Sequence, residues 1–583
     1  MNILFLVVGI SILFVIAYKT YGTFLAKNVY ELNDENKVPS VEMEDGMDYV
    51  PTEPSLLLGQ HFSAIAAAGP VTGPILAGIA YGWIPTTLWI FFGSIFVGGV
   101  HDWGAMVASV RNKGRSITET VRTNIGTSAW ILFNIFIYVA LVFIIVAFTD
   151  ITSSAFVNTI EVANGEKVGG PAIAMSSLLY LILPVIMGFL LKYTKLSLTW
   201  ATVIFLPLVG VAIWIGKYIP FDLQAMLGLA TPAAAGKVWN AIIIIYCIIA
   251  GVVPVWALLQ PRGHLGGYFM YASIVVAAIG VLFGGFKATY PAFNIPKGGS
   301  TFFPMFPMLF ITVACGACSG FHSLVSSGTT SKQIKRESDT KLIGYGGMLM
   351  EGVVAAIALS TVMILAKDNP LLGKSPNFIY ANGLGAFMAL IGVSPAFGIS
   401  FGLMAFTTFV YDTLDVCVRL GRFIFTELTG MHGWAGKILG TVLTGGIPVI
   451  LMSITLHDAE GKVVEPWRVF WTTFGASNQL LAALALIGIT VWLLNSAKNK
   501  NAWKFTFWPA VWMFVMSSWG LIRMFWTYTS KAGAWVGFPS GANVIVPVVC
   551  LVYLFLAIWM AFEAVKVLNR KLSGKAAPAT GTD

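Results

Sequence analysis

Apolar runs of about 20 residues recur along the whole chain, separated by short polar stretches. A helix of that length crosses a bilayer core about 30 Å thick. The runs do not alternate apolar and polar positions, so they predict helices rather than barrel strands. About 15 spans are expected, at residues 3–19, 56–81, 84–110, 124–149, 170–191, 197–216, 237–258, 266–286, 304–330, 341–366, 384–410, 434–453, 469–494, 505–527 and 543–568. Short half-helices within 221–236 or 411–433 raise the count to 17 or 18. The expected fold class is therefore an all-α polytopic membrane protein of about 15–18 transmembrane helices. Residues 1–570 read as one transmembrane domain with an acidic loop over 20–55, and 571–583 as a disordered tail.

Two spans break the apolar pattern. The stretch GQHFSAIAAAGPVTGP (59–74) lies inside span 56–81 and carries Gly69, Pro70, Gly73 and Pro74 together with His61, Ser63 and Thr72. The stretch ACGACSGFHSLVSSGTTSKQ (314–333) places Gly320, His322, Ser319, Ser323, Ser326 and Ser327 within and just beyond span 304–330. A backbone group left unpaired in lipid costs several kcal/mol, so an interrupted helix is tolerated where protein or a water-filled cavity satisfies it. Half-helix ends then offer N–H groups, carbonyls and dipole ends to a ligand. By the span count the two breaks cross in opposite directions, the pattern of an inverted-repeat secondary transporter.

Charge sharpens this picture. The chain has 583 residues, 10% of them charged, against about 25% in a soluble protein. A net charge of +9 suggests nucleic acid until the positions are considered. With Lys19, Lys27 and Lys37 on the inner side, most of the 35 lysines and arginines fall on inner loops: 111–123, 192–196, 259–265, 331–341, 411–433 and 495–504. That is the positive-inside bias, with the first end outside, the last end cytoplasmic, and no nucleic-acid partner. Tryptophan and tyrosine at span ends read as a belt against membrane lipid. The GKS at 373–375 has Asp368 where a phosphate-binding loop requires glycine, and neither H-E-x-x-H nor G-x-S-x-G occurs. No enzyme and no cofactor is expected.

The run DGMDYVPTEPSLLLGQHFSAIAAAGPVTGPILA (45–77) closely resembles the carbon starvation protein A (CstA) family, as does CGACSGFHSLVSSGTTSKQ (315–333). TTFVYDTLDVCVRLGRFI (407–424) and FGASNQLLAALAL (474–486) are similar to further family blocks in the same order. Gln60 and Ala67 stand where the family pattern usually has histidine and glycine, and Cys318 where it often has an aliphatic residue. The resemblance implies a bacterial inner-membrane carrier, LeuT-like in its core, that takes up pyruvate or short peptides during carbon limitation.

An ionisable side chain at mid-bilayer costs about 2.5–3.5 kcal/mol even on insertion scales, so each one demands a reason. The residues expected to contact substrate are His61, Ser63, Gly69, Pro70, Thr72, Gly73, Ser319, Gly320, His322, Ser323, Ser326 and Ser327. Protonated histidine, hydroxyls and half-helix N-termini suit a small carboxylate. His61, Asp102, Glu351, Asp412 and Asp415 are the candidates for ion coupling, with the proton first and sodium as the alternative. His61, His101, Asp102 and His322 lack the local spacing of metal ligands, so no metal is expected. Asp102 is expected to pair with an arginine of RNKGR, and Asp415 with Arg419 one turn along. Asn478 and Gln479 should join helices, while Cys315 and Cys318 should be small buried side chains. A proton-coupled importer working by alternating access is the resulting expectation. The alternatives are a sodium-coupled peptide carrier, or a channel or nutrient sensor.

Overall fold

The computed structural model describes residues 2–46, 49–66, 68–162, 165–294, 305–431, 433–457, 462–531, 533–539 and 541–573. Its first part comprises α1 (Ile3–Lys19), α2 (Tyr21–Asn28), α3 (Pro39–Glu42), α4 (Pro54–Ile65), α5 (Gly69–Tyr81), α6 (Trp83–Gly93), α7 (Gly99–Arg111) and α8 (Ile117–Asn124). Then come α9 (Thr127–Val157), α10 (Pro171–Tyr193), α11 (Leu198–Tyr218), α12 (Leu223–Met226), α13 (Pro232–Val252) and α14 (Leu259–Phe283). The second broken span is α15 (Met305–Val313) and α16 (Gly320–Gly328). It is followed by α17 (Gly347–Met363), α18 (Pro376–Ala389), α19 (Pro395–Thr429), α20 (Gly433–Ser453), α21 (Pro466–Ser496), α22 (Lys504–Thr529) and α23 (Ile545–Leu572). Fourteen stretches among the described residues are long and apolar enough to span, or 15 with the pair α4 and α5, bent by 48°, taken as one.

Sequence signals explain where the helices start and stop. The Ser394 hydroxyl accepts from Phe397 N, Pro395 fills the first position of α19, and Gly430 ends the helix with φ 68°. Thr231 and Pro232 open α13 in the same way. These caps satisfy amides that have no partner inside the helix. Three small antiparallel hairpins are the only strand pairs among the described residues.

Hydropathy misplaced two regions. The expected span 384–410 and loop 411–433 are in fact α18, a turn, and the 35-residue α19. Asp412, Asp415, Arg419 and Arg422 lower the hydropathy without ending the helix, because their partners lie on neighbouring helices. Similarly, the expected loop 259–265 is the first turns of α14, and Arg262 there is fully buried. Of the tail, α23 continues to Leu572, and residues 574–583 lie outside the described residues.

Segments expected on the inner side gather at one end. Arg111 Nε donates to Glu337 Oε1 at 2.6 Å, and the Asn33 amide donates to Glu337 Oε2 at 2.7 Å. Asp34 accepts from the Ser338 amide at 2.8 Å, and Glu31 accepts from the amides of Lys498 and Asn499. The acidic segment thus clasps the loop that follows the second broken span. At its exposed edge Lys335 bonds Glu53 and holds that carboxyl below its usual range, while Asp339 raises Arg336.

Candidate functional site

The two breaks lie against each other. A Cβ built on Gly69 would stand 2.4 Å from Cys315 Sγ, and one on Gly73 only 2.3 Å from the Val313 carbonyl oxygen. One on Gly316 would stand 3.1 Å from Pro74 Cγ. The open faces of Gly69 and Gly73 are therefore taken up by the second broken span. Small residues let two backbones approach this closely.

The second break is stitched from α21. Asn478 Oδ1 accepts from the Phe321 amide at 2.9 Å, and its Nδ2 donates to Ser319 Oγ at 3.0 Å. Gln479 Nε2 donates to the Cys318 carbonyl at 2.9 Å. Each satisfies a polar group near the gap between α15 and α16, so the expected helix-joining role holds and goes further. Cys315 and Cys318 are buried and free.

Around the breaks lies a chain of titratable groups. Asp102 on α7 accepts from His101 Nδ1 through Oδ1 and from His322 Nδ1 through Oδ2, both at 2.7 Å. The pairing of Asp102 with a loop arginine is thereby corrected: α7 turns its carboxylate inward to the α16 histidine. His322 Nε2 stands 3.3 Å from Glu351 Oε2 on α17. His101, Asp102, His322 and Glu351 are all 0% exposed. Because a carboxylate only accepts, Asp102 fixes His322 Nδ1 as a donor and leaves Nε2 facing Glu351.

His61 on α4 shares a 2.9 Å hydrogen bond between Nδ1 and Thr330 Oγ1, and lies within electrostatic reach of Asp102 and His322. His61 Nε2, His101 Nε2, His322 Nε2, Thr72 Oγ1, Ser326 Oγ and both Glu351 oxygens have no hydrogen-bond partner. Buried polar groups are ordinarily satisfied, so the unpaired Nε2 atoms of His101 and His322 and the two Glu351 oxygens call for an ion, a ligand or water. Ser323 and Ser327 bond within their own helix, to the carbonyls of Gly320 and Ser323. Among the described residues no group of three or more His, Cys, Asp or Glu is arranged to hold a metal ion.

A second charged cluster lies on the other side of α4. Ser63 Oγ donates to Asp412 Oδ2 at 3.0 Å. Arg262 Nε donates to Asp412 Oδ1 at 2.7 Å, and its Nη1 stands 2.5 Å from Asp415 Oδ2. The expected pair of Asp415 with Arg419 is thus corrected. Arg419 Nη2 instead donates to the carbonyls of Ala250 and Val253, and Arg422 Nη1 to that of Gly251, all near the end of α13. Arg262 escaped sequence reasoning because it sits among Gln260, Pro261 and His264 and was counted as a loop charge. Two carboxylates three residues apart in an apolar stretch were the signal that a buried cation had to face them. Asp150 on α9 was missed as well; it accepts from Asn240 Nδ2 at 2.8 Å and from the Trp467 amide at 2.9 Å, closing the start of α21.

These features define a multi-pass helical membrane protein with two interrupted spans packed around buried ionisable groups. Residues 1–376 and 370–520 match the family described as carbon starvation protein CstA, and the chain belongs to that family. It is similar to the peptide transporter CstA of Helicobacter pylori, 31% identical over 566 residues that cover 86% of this chain and 79% of that protein. It is also similar to the pyruvate/proton symporter BtsT of Escherichia coli, 29% identical over 619 residues, 91% of this chain and 83% of that one. Among solved structures, MhsT in complex with L-phenylalanine gives a TM-score of 0.47 at 12% identity, covering 80% of this chain and 98% of that one. That likeness is too loose to add to the helix breaks themselves.

Proposed function

We propose that this chain is a secondary active transporter importing pyruvate or a related small carboxylate, with short peptides the second substrate class, in symport with protons. The observation that carries the reading is the run of four fully buried titratable groups, His101, Asp102, His322 and Glu351, joining α7, α16 and α17 at the second break. Charges buried this deeply in a membrane protein mark proton or ion pathways by default. The names borne by the two relatives point to the same substrates and to the proton.

In this reading the coupling proton resides on the His322–Glu351 pair. With Glu351 neutral and His322 protonated against Asp102, the cluster carries no net charge. Loss of one proton leaves an uncompensated negative charge away from water, which the low-dielectric interior resists. The protonated and deprotonated clusters therefore favour different arrangements of α16 against α7 and α17, and alternating access follows from their exchange. A LeuT-like inverted-repeat core and a bacterial inner-membrane location, with the clasped end facing the cytoplasm, complete the proposal. No catalytic step is involved.

The test is uptake of labelled pyruvate into proteoliposomes of purified protein, with an inward proton gradient imposed and then collapsed, and trialanine run in parallel. Saturable pyruvate uptake that follows the gradient supports the reading. Uptake of trialanine alone moves the substrate to peptides. Uptake that follows sodium and ignores the proton gradient refutes proton coupling.

A further inference from the structure

Arg262 is fully buried and faces two carboxylates at once. Its Nη1 also donates to the Tyr246 hydroxyl, and its Nη2 donates to the Tyr411 carbonyl at 2.9 Å. Tyr246 donates in turn to Asp415 Oδ2 at 3.2 Å. Among the described residues the other titratable groups near the pair are phenols and thiols, Tyr180 from α10, Tyr246 and Cys247 from α13, and Tyr411 and Cys417 on α19 itself, while Arg419 on α19 donates to carbonyls at the end of α13. The cluster thus has one cation for two anions. Asp415 Oδ1, in a side chain 0% exposed, has no hydrogen-bond partner.

The same face of α19 continues into a large cavity. Asp412, Asp415, Arg419 and Arg422 follow at spacings of three, four and three residues, which keeps them on one helical stripe. Arg419 and Arg422 line a cavity of about 900 Å³, together with Lys192, His264 and Lys437. Gln260 and Pro261, next to Arg262 in the chain, and Gln60, next to His61, belong to the same wall. No aspartate or glutamate lines it among the described residues. A cavity lined by one sign of charge concentrates the opposite ion, so anions gather at the Arg419 and Arg422 end of the stripe that carries Asp412 and Asp415.

We infer that Arg262 is the residue that receives the substrate's carboxylate, in exchange for Asp415. The guanidinium fork fits a carboxylate through two parallel hydrogen bonds, a geometry that lysine does not reproduce. When the incoming carboxylate takes the Nη side of Arg262, Asp415 loses its cation. A buried carboxylate without a partner is not tolerated in the ionised form, so Asp415 takes one proton from solution. The Arg262 cluster thus binds one monoanion and one proton together, in addition to the proton on the His322–Glu351 pair that drives the change of conformation, and its charge is unchanged. The inference rests on the carboxylate-transport reading above and names the contact that recognises the substrate. The ligand chemistry is an aliphatic carboxylate, whether of a small oxo acid or of a peptide C-terminus.

Binding to the purified full-length chain in detergent, followed by titration calorimetry, tests it. The probes are pyruvate, trialanine and trialanine amide, which lacks the carboxylate. The expected result is binding of one or both carboxylates but not the amide, tightening by up to about tenfold per pH unit as the pH falls. Arg262→Lys, which keeps the buried charge, should weaken it at least about tenfold. Asp415→Asn should flatten the pH dependence and bind at about pH 8 at least as well as the unaltered chain. Binding unchanged in Arg262→Lys, or a full pH dependence in Asp415→Asn, overturns the inference and leaves the transport reading standing. Failure of the unaltered chain to bind either carboxylate overturns both.

Discussion

The two buried charge clusters flank the same helix, α4, and are built on opposite principles. At Arg262 nearly every polar atom is engaged: guanidinium, two carboxylates, a phenol, a hydroxyl and a carbonyl close on one another. At His322 the reverse holds: His101 Nε2, His322 Nε2 and both Glu351 oxygens have no hydrogen-bond partner. A saturated cluster is rigid, and its members are costly to remove, because each deletion strands a buried charge. An unsaturated one costs little to alter in the resting protein and is free to gain or lose a proton. The first holds Arg262 in a fixed geometry for recognition while one of its carboxylates is exchanged, and the second changes state with no fixed partner to lose.

The largest effect should come from breaking the saturated cluster outright. Arg262→Gln leaves two carboxylates facing no cation, and should lower stability by about 3–5 kcal/mol. Thermal unfolding in detergent reads this, and adding Asp412→Asn and Asp415→Asn together should restore much of it. Recovery that does not occur would mean that packing rather than charge holds the site.

Gly73→Ala is the next largest. Its Cβ meets a backbone carbonyl at 2.3 Å, which cannot swing away, and overpacking of this kind costs about 1–3 kcal/mol. Gly69→Ala meets the Cys315 side chain instead, Sγ at 2.4 Å and Cβ at 2.5 Å, so Gly69→Ala paired with Cys315→Gly should recover stability where no such partner rescues Gly73→Ala. Asn478→Ala removes the acceptor for the Phe321 amide and the donor to Ser319, for about 1–3 kcal/mol. Thermal unfolding in detergent reads the loss.

Glu351→Gln should hardly move the unfolding temperature, since neither carboxyl oxygen has a hydrogen bond to lose. Its effect should be on coupling, with gradient-driven uptake falling about tenfold or more. Smallest of all is Lys335→Ala, which breaks only an exposed pair with Glu53 and should change neither stability nor uptake measurably.

Much of this was legible in the sequence. The spans were, because hydropathy has the same length scale as the bilayer. The breaks were, because Gly-Pro at 69–70 and the glycines at 316 and 320 interrupt otherwise apolar runs. His61, Asp102, His322 and Glu351 stood out as polar residues where lipid forbids them. What was not legible was partnership. Asp102 and His322 are 220 residues apart, and Arg262 and Asp412 are 150 apart, so only tertiary packing brings them together. The charges of α19 misled for a related reason: hydropathy scores a paired, buried aspartate as though it faced water. The role of Asn478 was half visible, as a polar residue in an apolar span, while the gap it closes belongs to another helix.

The most direct test of the central claim is pyruvate uptake recorded together with luminal pH in proteoliposomes, comparing the unaltered chain with Glu351→Gln. Coupling through the His322–Glu351 pair predicts that the unaltered chain accumulates pyruvate and acidifies the lumen together. Glu351→Gln should lose gradient-driven accumulation and still exchange internal for external pyruvate. Accumulation without acidification in the unaltered chain, or full gradient-driven accumulation in Glu351→Gln, would contradict it.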